Sequence, residues 1–162
     1  QQGLRSGTLN VPGIVGFGKA VEIANQEMIE ESARLSQLRD ELENSLLDKI
    51  DEAWVNGNIH HRLPHVSNLT FRKVDSEQLM MTFNQQIGVS SGSACTSAAL
   101  HPSHVLMAMG RTEEEAFASL RFSLGRFTKD DHIPVVVDAV VKGVHMIREQ
   151  SPAWELFKEK NG

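Results

Sequence analysis

The chain has 162 residues, 40% of them apolar and 23% charged, with a formal net charge of -5. That length suits one compact domain with a sizeable core, and the acidic balance argues against duplex nucleic acid or an anionic membrane as partner. No apolar run approaches the roughly 20 residues of a membrane-spanning helix. The opening Gln1-Gln2-Gly3-Leu4-Arg5 carries no apolar signal region behind a basic start. The one cysteine, Cys95, cannot close an internal disulfide, so no oxidising compartment is implied. A cytoplasmic or organelle-matrix location is the expectation. Gly3 to Thr8 reads as the middle of a loop, which points to a fragment, a domain or a processed chain.

Pro12 suits a first helical turn. From there to about Ile50, apolar residues recur at Val15, Val21, Met28, Leu35, Leu38, Leu42 and Leu46, a long helical pattern. Gly16 and Gly18 are costly in a helix and suggest close packing near its start; its C-terminal part is polar on one face and belongs at the surface. Trp54-Val55 reads as a short strand closed by Asn56-Gly57, followed by a loop to His65. Val66 to Phe71 alternates as a strand. Asp75 with Gln78 forms a capping-box-like pair opening a helix. Ile87-Gly88-Val89 is a brief strand, followed by a small-residue loop through Ser97. Pro102 to Met109 is a short helix, and Thr112 with Glu115 is another capping signature. Ser119 to Leu124 alternates as a strand ending at Gly125. Thr128 or Asp131 caps a last long helix, and Pro134 favours the later start. Ser151-Pro152 breaks that helix before a short terminal one. The fold class expected is α/β: three or four strands covered by helices in one small layer.

Three segments could carry chemistry. A lone cysteine is often a small buried hydrophobe, but around Cys95 every residue from Ser90 to Ser97 is Ser, Gly, Ala or Thr. Nothing large is present to anchor the thiol, and an accessible loop suits a nucleophilic or transferring thiol. Arg121 stands in a strand between Leu120 and Phe122; it either pairs with a buried carboxylate or binds an anionic ligand bidentately. Arg126 suits a surface or loop-pinning role. Arg5-Ser6-Gly7-Thr8 offers hydroxyls and backbone N–H groups ahead of a helix, a weak anion-site pattern. His60, His61 and His65 cluster in a loop, and His101 and His104 flank Pro102. Solvated loop histidines are the default, and no metal site is expected, since the only cysteine is not in a Cys-x-x-Cys pair.

These segments occur in a telling order: Arg5-Ser6-Gly7-Thr8, then Ser90-Ser91-Gly92-Ser93-Ala94-Cys95-Thr96-Ser97, then Ser119-Leu120-Arg121-Phe122-Ser123-Leu124-Gly125-Arg126-Phe127-Thr128, then Ser151-Pro152-Ala153-Trp154-Glu155. Together they resemble the housekeeping cysteine desulfurases of iron–sulfur cluster assembly, pyridoxal phosphate transferases of class V with the aspartate-aminotransferase-like, fold-type I architecture. The resemblance spans essentially the whole chain. It implies that residues 1–162 form the C-terminal small domain, with the large pyridoxal-phosphate domain absent. The family converts L-cysteine to alanine plus an enzyme persulfide, with the cofactor as electron sink. Cys95 matches the persulfide-forming catalytic cysteine. Arg121 matches the arginine that grips the substrate carboxylate. Thr8 matches a threonine that reaches the cofactor phosphate of the neighbouring subunit in a homodimer.

The resemblance also sets limits. The family's cofactor lysine, ring-stacking histidine and pyridine-facing aspartate lie upstream of this segment, so the chain alone is expected to hold no pyridoxal phosphate covalently and to be inactive. His101 and His104 stand where close relatives usually carry Glu and Tyr. The chain stops soon after Trp154-Glu155, where many relatives continue into a tail that helps dock the cluster scaffold protein. The alternative reading is a stand-alone sulfur-carrier or interaction module that accepts sulfur on Cys95 and passes it to an acceptor protein. Exposed apolar surface on the isolated domain is expected to drive association, by exchange of the long first helix.

Overall fold

A 39-residue helix, α1 (Val11–Lys49), opens the fold. The computed structural model describes residues 7–91 and 101–161. Asn10 caps α1 by accepting the Gly13 N–H at 3.1 Å, and Pro12 lies in the first turn, where its missing N–H costs nothing. The helix ends where Ile50 turns extended, its N–H still donating to the Leu46 carbonyl. The long helical pattern in the sequence is thus one continuous element.

Its two halves differ. Leu35, Leu38, Leu42 and Leu46 are buried in the core. Upstream, Ile14, Phe17, Val21 and Met28 are exposed. The expectation of close packing near Gly16 and Gly18 fails: a Cβ added at either meets nothing within 4 Å. The C-terminal half, expected at the surface, carries the buried stripe, with its polar residues on the opposite face.

Among the described residues four strands follow: β1 (Ala53–Val55), β2 (Val66–Phe71), β3 (Ser90–Ser91) and β4 (Ser119–Ser123). They form an antiparallel sheet in the order β1-β2-β4-β3. Alternation puts Leu69, Phe71, Leu120 and Phe122 in the core. Against them pack the lower half of α1, α2 (Ser76–Phe83) and α5 (His132–Glu149). Gly143 lets α2 and α5 approach closely; a Cβ there would lie 2.5 Å from Thr82 Oγ1. The opposite face of the sheet carries Asn68, Thr70, Ser119 and Arg121. It is bordered by α3 (His104–Ala108) and α4 (Glu113–Phe117). The last helix is α6 (Pro152–Asn161).

Several expected boundaries shift for local reasons. The brief strand lies at Ser90–Ser91 rather than Ile87–Val89, because only Ser90 and Ser91 have ladder partners on β4, while Ile87 and Val89 pack their side chains on the core. α3 starts at His104, not Pro102, with Ser103 as its cap. Asp75 caps α2 by accepting the Gln78 N–H, whereas Thr112 and Glu115 form the full reciprocal box. Asp131 takes the cap position of α5 without a side-chain bond; Thr128 Oγ1 instead accepts the Gly125 N–H. Of the stretch expected as a small-residue loop through Ser97, Ser90 and Ser91 form β3 and residues 92–97 lie outside the described residues.

Candidate functional site

The site grows out of the period of two along β2 and β4. Once Leu120 and Phe122 turn into the core, Ser119 and Arg121 must face the other way. Arg121 sits directly opposite Asn68 on β2 and Ser90 on β3. Directly paired residues share a face with Cβ atoms about 5 Å apart. Asn68, Arg121 and Ser90 therefore form one row across three strands.

Arg121 is exposed, and among the described residues its guanidinium has neither an ion-pair nor a hydrogen-bond partner. Of the two roles open to it in the sequence, pairing with a buried carboxylate is not the one observed. It lines a cavity of about 770 Å³. His61, Arg62, His101 and His104 also line it, and no aspartate or glutamate does. Arg62 is already spoken for: it forms a two-pronged bond to the buried carboxylate of Glu43, which holds its pKa above the ordinary arginine value. Arg121 is thus the uncompensated permanent charge of the cavity among the described residues.

Beneath Arg121 lies a buried polar network. Asn56 Nδ2 reaches Asn68 Oδ1 and Thr70 Oγ1 at 2.7 Å each, and Ser119 Oγ at 3.2 Å. Thr70 Oγ1 and Ser119 Oγ are 2.8 Å apart. Ser119 Oγ donates to the Glu115 carbonyl at the end of α4, at 2.6 Å. These residues were not singled out in the sequence; the only signal was the polar half of the alternation in β2 and the Asn-Gly pair at 56–57.

The other sequence candidates fall around this site unevenly. Cys95 lies outside the described residues. The segment that carries it leaves from Ser91, in the strand beside Arg121, and returns at His101, which lines the cavity. Cys95 is five residues from Ser90, a reach of at most about 18 Å. Thr8 is exposed, next to Gly7 at φ 92° and just before the α1 cap; it does not line the Arg121 cavity. His60, His61, His101 and His104 are exposed. Among the described residues no three His, Cys, Asp or Glu side chains gather closely enough to hold a metal ion. Arg126 pins its loop to α1 through Glu27 and Glu31.

Comparison with known proteins places this geometry. Residues 1–136 match the family model described as aminotransferase class-V. The chain belongs to the aminotransferase class-V family. Class-V relatives include proteins named cysteine desulfurase IscS from Mannheimia succiniciproducens, 49% identical over 98% of this chain, and from Anaeromyxobacter sp., 50% identical over the same share. The chain spans 39% of the length of each. Among solved structures, a NifS-like protein from Rickettsia africae is 32% identical with a TM-score of 0.73, over 86% of this chain and 36% of that one. Another NifS-like protein is 28% identical with a TM-score of 0.74, over 89% of this chain and 36% of its own. The likeness to these NifS-like structures supports the α/β fold read from the sequence, with its small sheet and covering helices.

Class V implies pyridoxal phosphate, and the cavity tests that. Its aldehyde needs a lysine and its pyridine nitrogen an acidic partner. No lysine, aspartate or glutamate lines the cavity. The residues lining this cavity therefore do not make a site for the cofactor by themselves. They offer a cationic wall without the groups that would anchor the ring.

Proposed function

We propose that this chain is the sulfur-accepting small domain of a cysteine desulfurase, and that the cofactor is held by a part of the protein other than these 162 residues. The observation that carries the reading is the uncompensated Arg121 in a cavity lined by His101, where the segment bearing Cys95 returns, and paired in the sheet with Ser90, beside which that segment leaves. It is supported by 49% identity, across 98% of the chain, to proteins named cysteine desulfurase.

In this reading Arg121 takes the α-carboxylate of L-cysteine as a planar two-pronged bond. The thiolate of Cys95 attacks the substrate sulfur. A sulfur–sulfur bond forms and the carbon–sulfur bond breaks; its electron pair stays with the three-carbon fragment, which takes a proton and leaves as alanine. Cys95 is left as a persulfide, whose outer sulfur passes to an acceptor protein for iron–sulfur cluster assembly. Thr8 serves the cofactor phosphate across a homodimer, and the enzyme works in the cytoplasm.

The test is the mass of Cys95-containing peptides from the full-length protein after exposure to L-cysteine, with alanine measured alongside. The expected result is one added sulfur on Cys95 and equimolar alanine, both lost in Cys95→Ala. If the natural protein is no longer than this chain and gains sulfur only from a separate donor enzyme, it is a carrier and the desulfurase reading falls.

A further inference from the structure

The network under Arg121 has a direction, and that direction ends in the cavity. It begins at the Glu115 carbonyl, which can only accept. Ser119 must therefore spend its single hydroxyl proton there. The 2.8 Å contact between Thr70 and Ser119 then needs Thr70 as donor. With that proton spent, Thr70 Oγ1 can only accept at its 2.7 Å contact with Asn56, so the Asn56 atom facing it must be Nδ2. The same Nδ2 faces Asn68, so the Asn68 atom at 2.7 Å must be Oδ1. Four hydrogen bonds thus fix an amide orientation that distance alone leaves open, at the cost of leaving Asn56 Oδ1 buried without a hydrogen-bond partner among the described residues.

The consequence lies at the other end of the Asn68 amide. With Oδ1 turned to Asn56, Nδ2 points away from the network. Among the described residues it donates to nothing. Asn68 is half-buried, lines the same cavity as Arg121 and stands directly opposite it in register. We propose that Asn68 is a second anion-binding residue, donating from Nδ2 to the carboxylate held by Arg121, and that Asn56, Thr70 and Ser119 are positioning residues that keep its donor end toward the cavity. The ligand class is the α-carboxylate of an amino acid, and the assignment rests on the desulfurase reading given above. The relay suits the task chemically. It is uncharged throughout, so it orients a donor without neutralising Arg121, which an acidic residue at position 68 would do.

The test uses the full-length protein and steady-state kinetics with L-cysteine. Loss of a hydrogen bond to a charged group weakens binding by roughly tenfold or more. Asn68→Ala is therefore expected to raise KM about tenfold, with kcat changing far less. Asn68→Asp, which sets a carboxylate against Arg121, should raise KM further. Thr70→Val, outside the cavity lining, should raise KM by a smaller factor because Asn56 can then flip; a merely structural role would lower the melting temperature and leave KM alone. Arg121→Gln is the reference. If Arg121→Gln raises KM and the Asn68 variants stay within twofold of wild type, the Asn68 assignment is overturned and the role of Arg121 stands. If Arg121→Gln leaves KM unchanged, or the wild type does not turn over L-cysteine, the carboxylate reading fails and takes the assignment with it. Should the Asn68 variants not fold, a crystal structure of the wild type with L-alanine decides. A carboxylate oxygen within hydrogen-bond distance of Asn68 Nδ2 supports the assignment, and one held by Arg121 alone ends it.

Discussion

Arg148 shows how one side chain can hold two turns. Its guanidinium donates to the carbonyls of Asp51, Glu52 and Arg72, and its face lies 4.1 Å from the Trp154 ring centre. Glu52 and Lys73 both sit at positive φ, 54° and 60°, a conformation that costs non-glycine residues energy. Arg148 thus ties down the backbone exactly where it is strained, at Glu52 and just before Lys73. It is 4% exposed, and burial pulls its pKa down to about 10, with Asp51 and Glu52 pulling the other way. It stays protonated at neutral pH. Arg148→Ala is expected to destabilise the fold by about 3 kcal/mol, since three carbonyls lose their donor; urea denaturation measures this. A second residue-scale prediction concerns acid. The Arg126 hydrogen bond lowers the Glu31 carboxyl below its usual 4.5. The pair therefore contributes fully above pH 4.5, and its contribution is lost as pH falls through the lowered value in the folded chain. Arg126→Ala should flatten the fall in stability between pH 5 and pH 3, compared by denaturant titration at each pH. Of these residues, Arg126 was legible in the sequence as a loop-pinning group. Arg148 was not, because a lone arginine in the last turn of an amphipathic helix looks like any solvated one.

At the scale of elements, the loop between β1 and β2 forms a wall of the Arg121 cavity, and α1 holds it there. Arg39 donates to the Leu63 and Pro64 carbonyls at 3.1 Å, and Glu43 grips Arg62. Glu43→Gln leaves the largely buried Arg62 with only the longer 3.5 Å contact to Asp40 as counter-charge, and the expected loss is about 2 kcal/mol. Thermal denaturation checks it; a change under 1 kcal/mol would mean that the loop re-solvates Arg62 without cost. Helices and long strands were readable because their periodicities run over many residues: α1, β2, β4 and α5 all fall close to where the pattern puts them. β3 was misplaced by two or three residues because its existence depends on two ladder partners supplied by β4, not on its own composition. The Asn56–Asn68–Thr70–Ser119 network was invisible for a related reason. Its members are 12, 14 and 63 residues from Asn56 along the chain, and only the sheet order brings them together. Arg121 was legible because a permanent charge between two core residues of a strand demands a partner, internal or external.

At the scale of the whole molecule, the upper half of α1 is unlike the rest. A 39-residue helix is about 58 Å long, yet its buried residues begin only at Leu35. Ile14, Val21 and Met28 repeat every seven residues and run into Leu35 and Leu42 of the core, with Phe17 73% exposed beside them. One apolar stripe is therefore covered at one end and bare at the other. Relatives of which this chain spans 39% have further chain available to cover it; the isolated chain has only a second copy of itself. We predict that the 162-residue chain alone dimerises through this stripe. Light scattering across a concentration series should show a monomer giving way to a dimer. The double substitution Val21→Glu and Met28→Glu should abolish the dimer without lowering the melting temperature of the monomer, because neither side chain touches the core. The same pair in the full-length protein should instead destabilise it, since the stripe is then an internal contact. A wild-type chain that stays monomeric at the highest concentration would show that the bare half of α1 is stable in water without a partner.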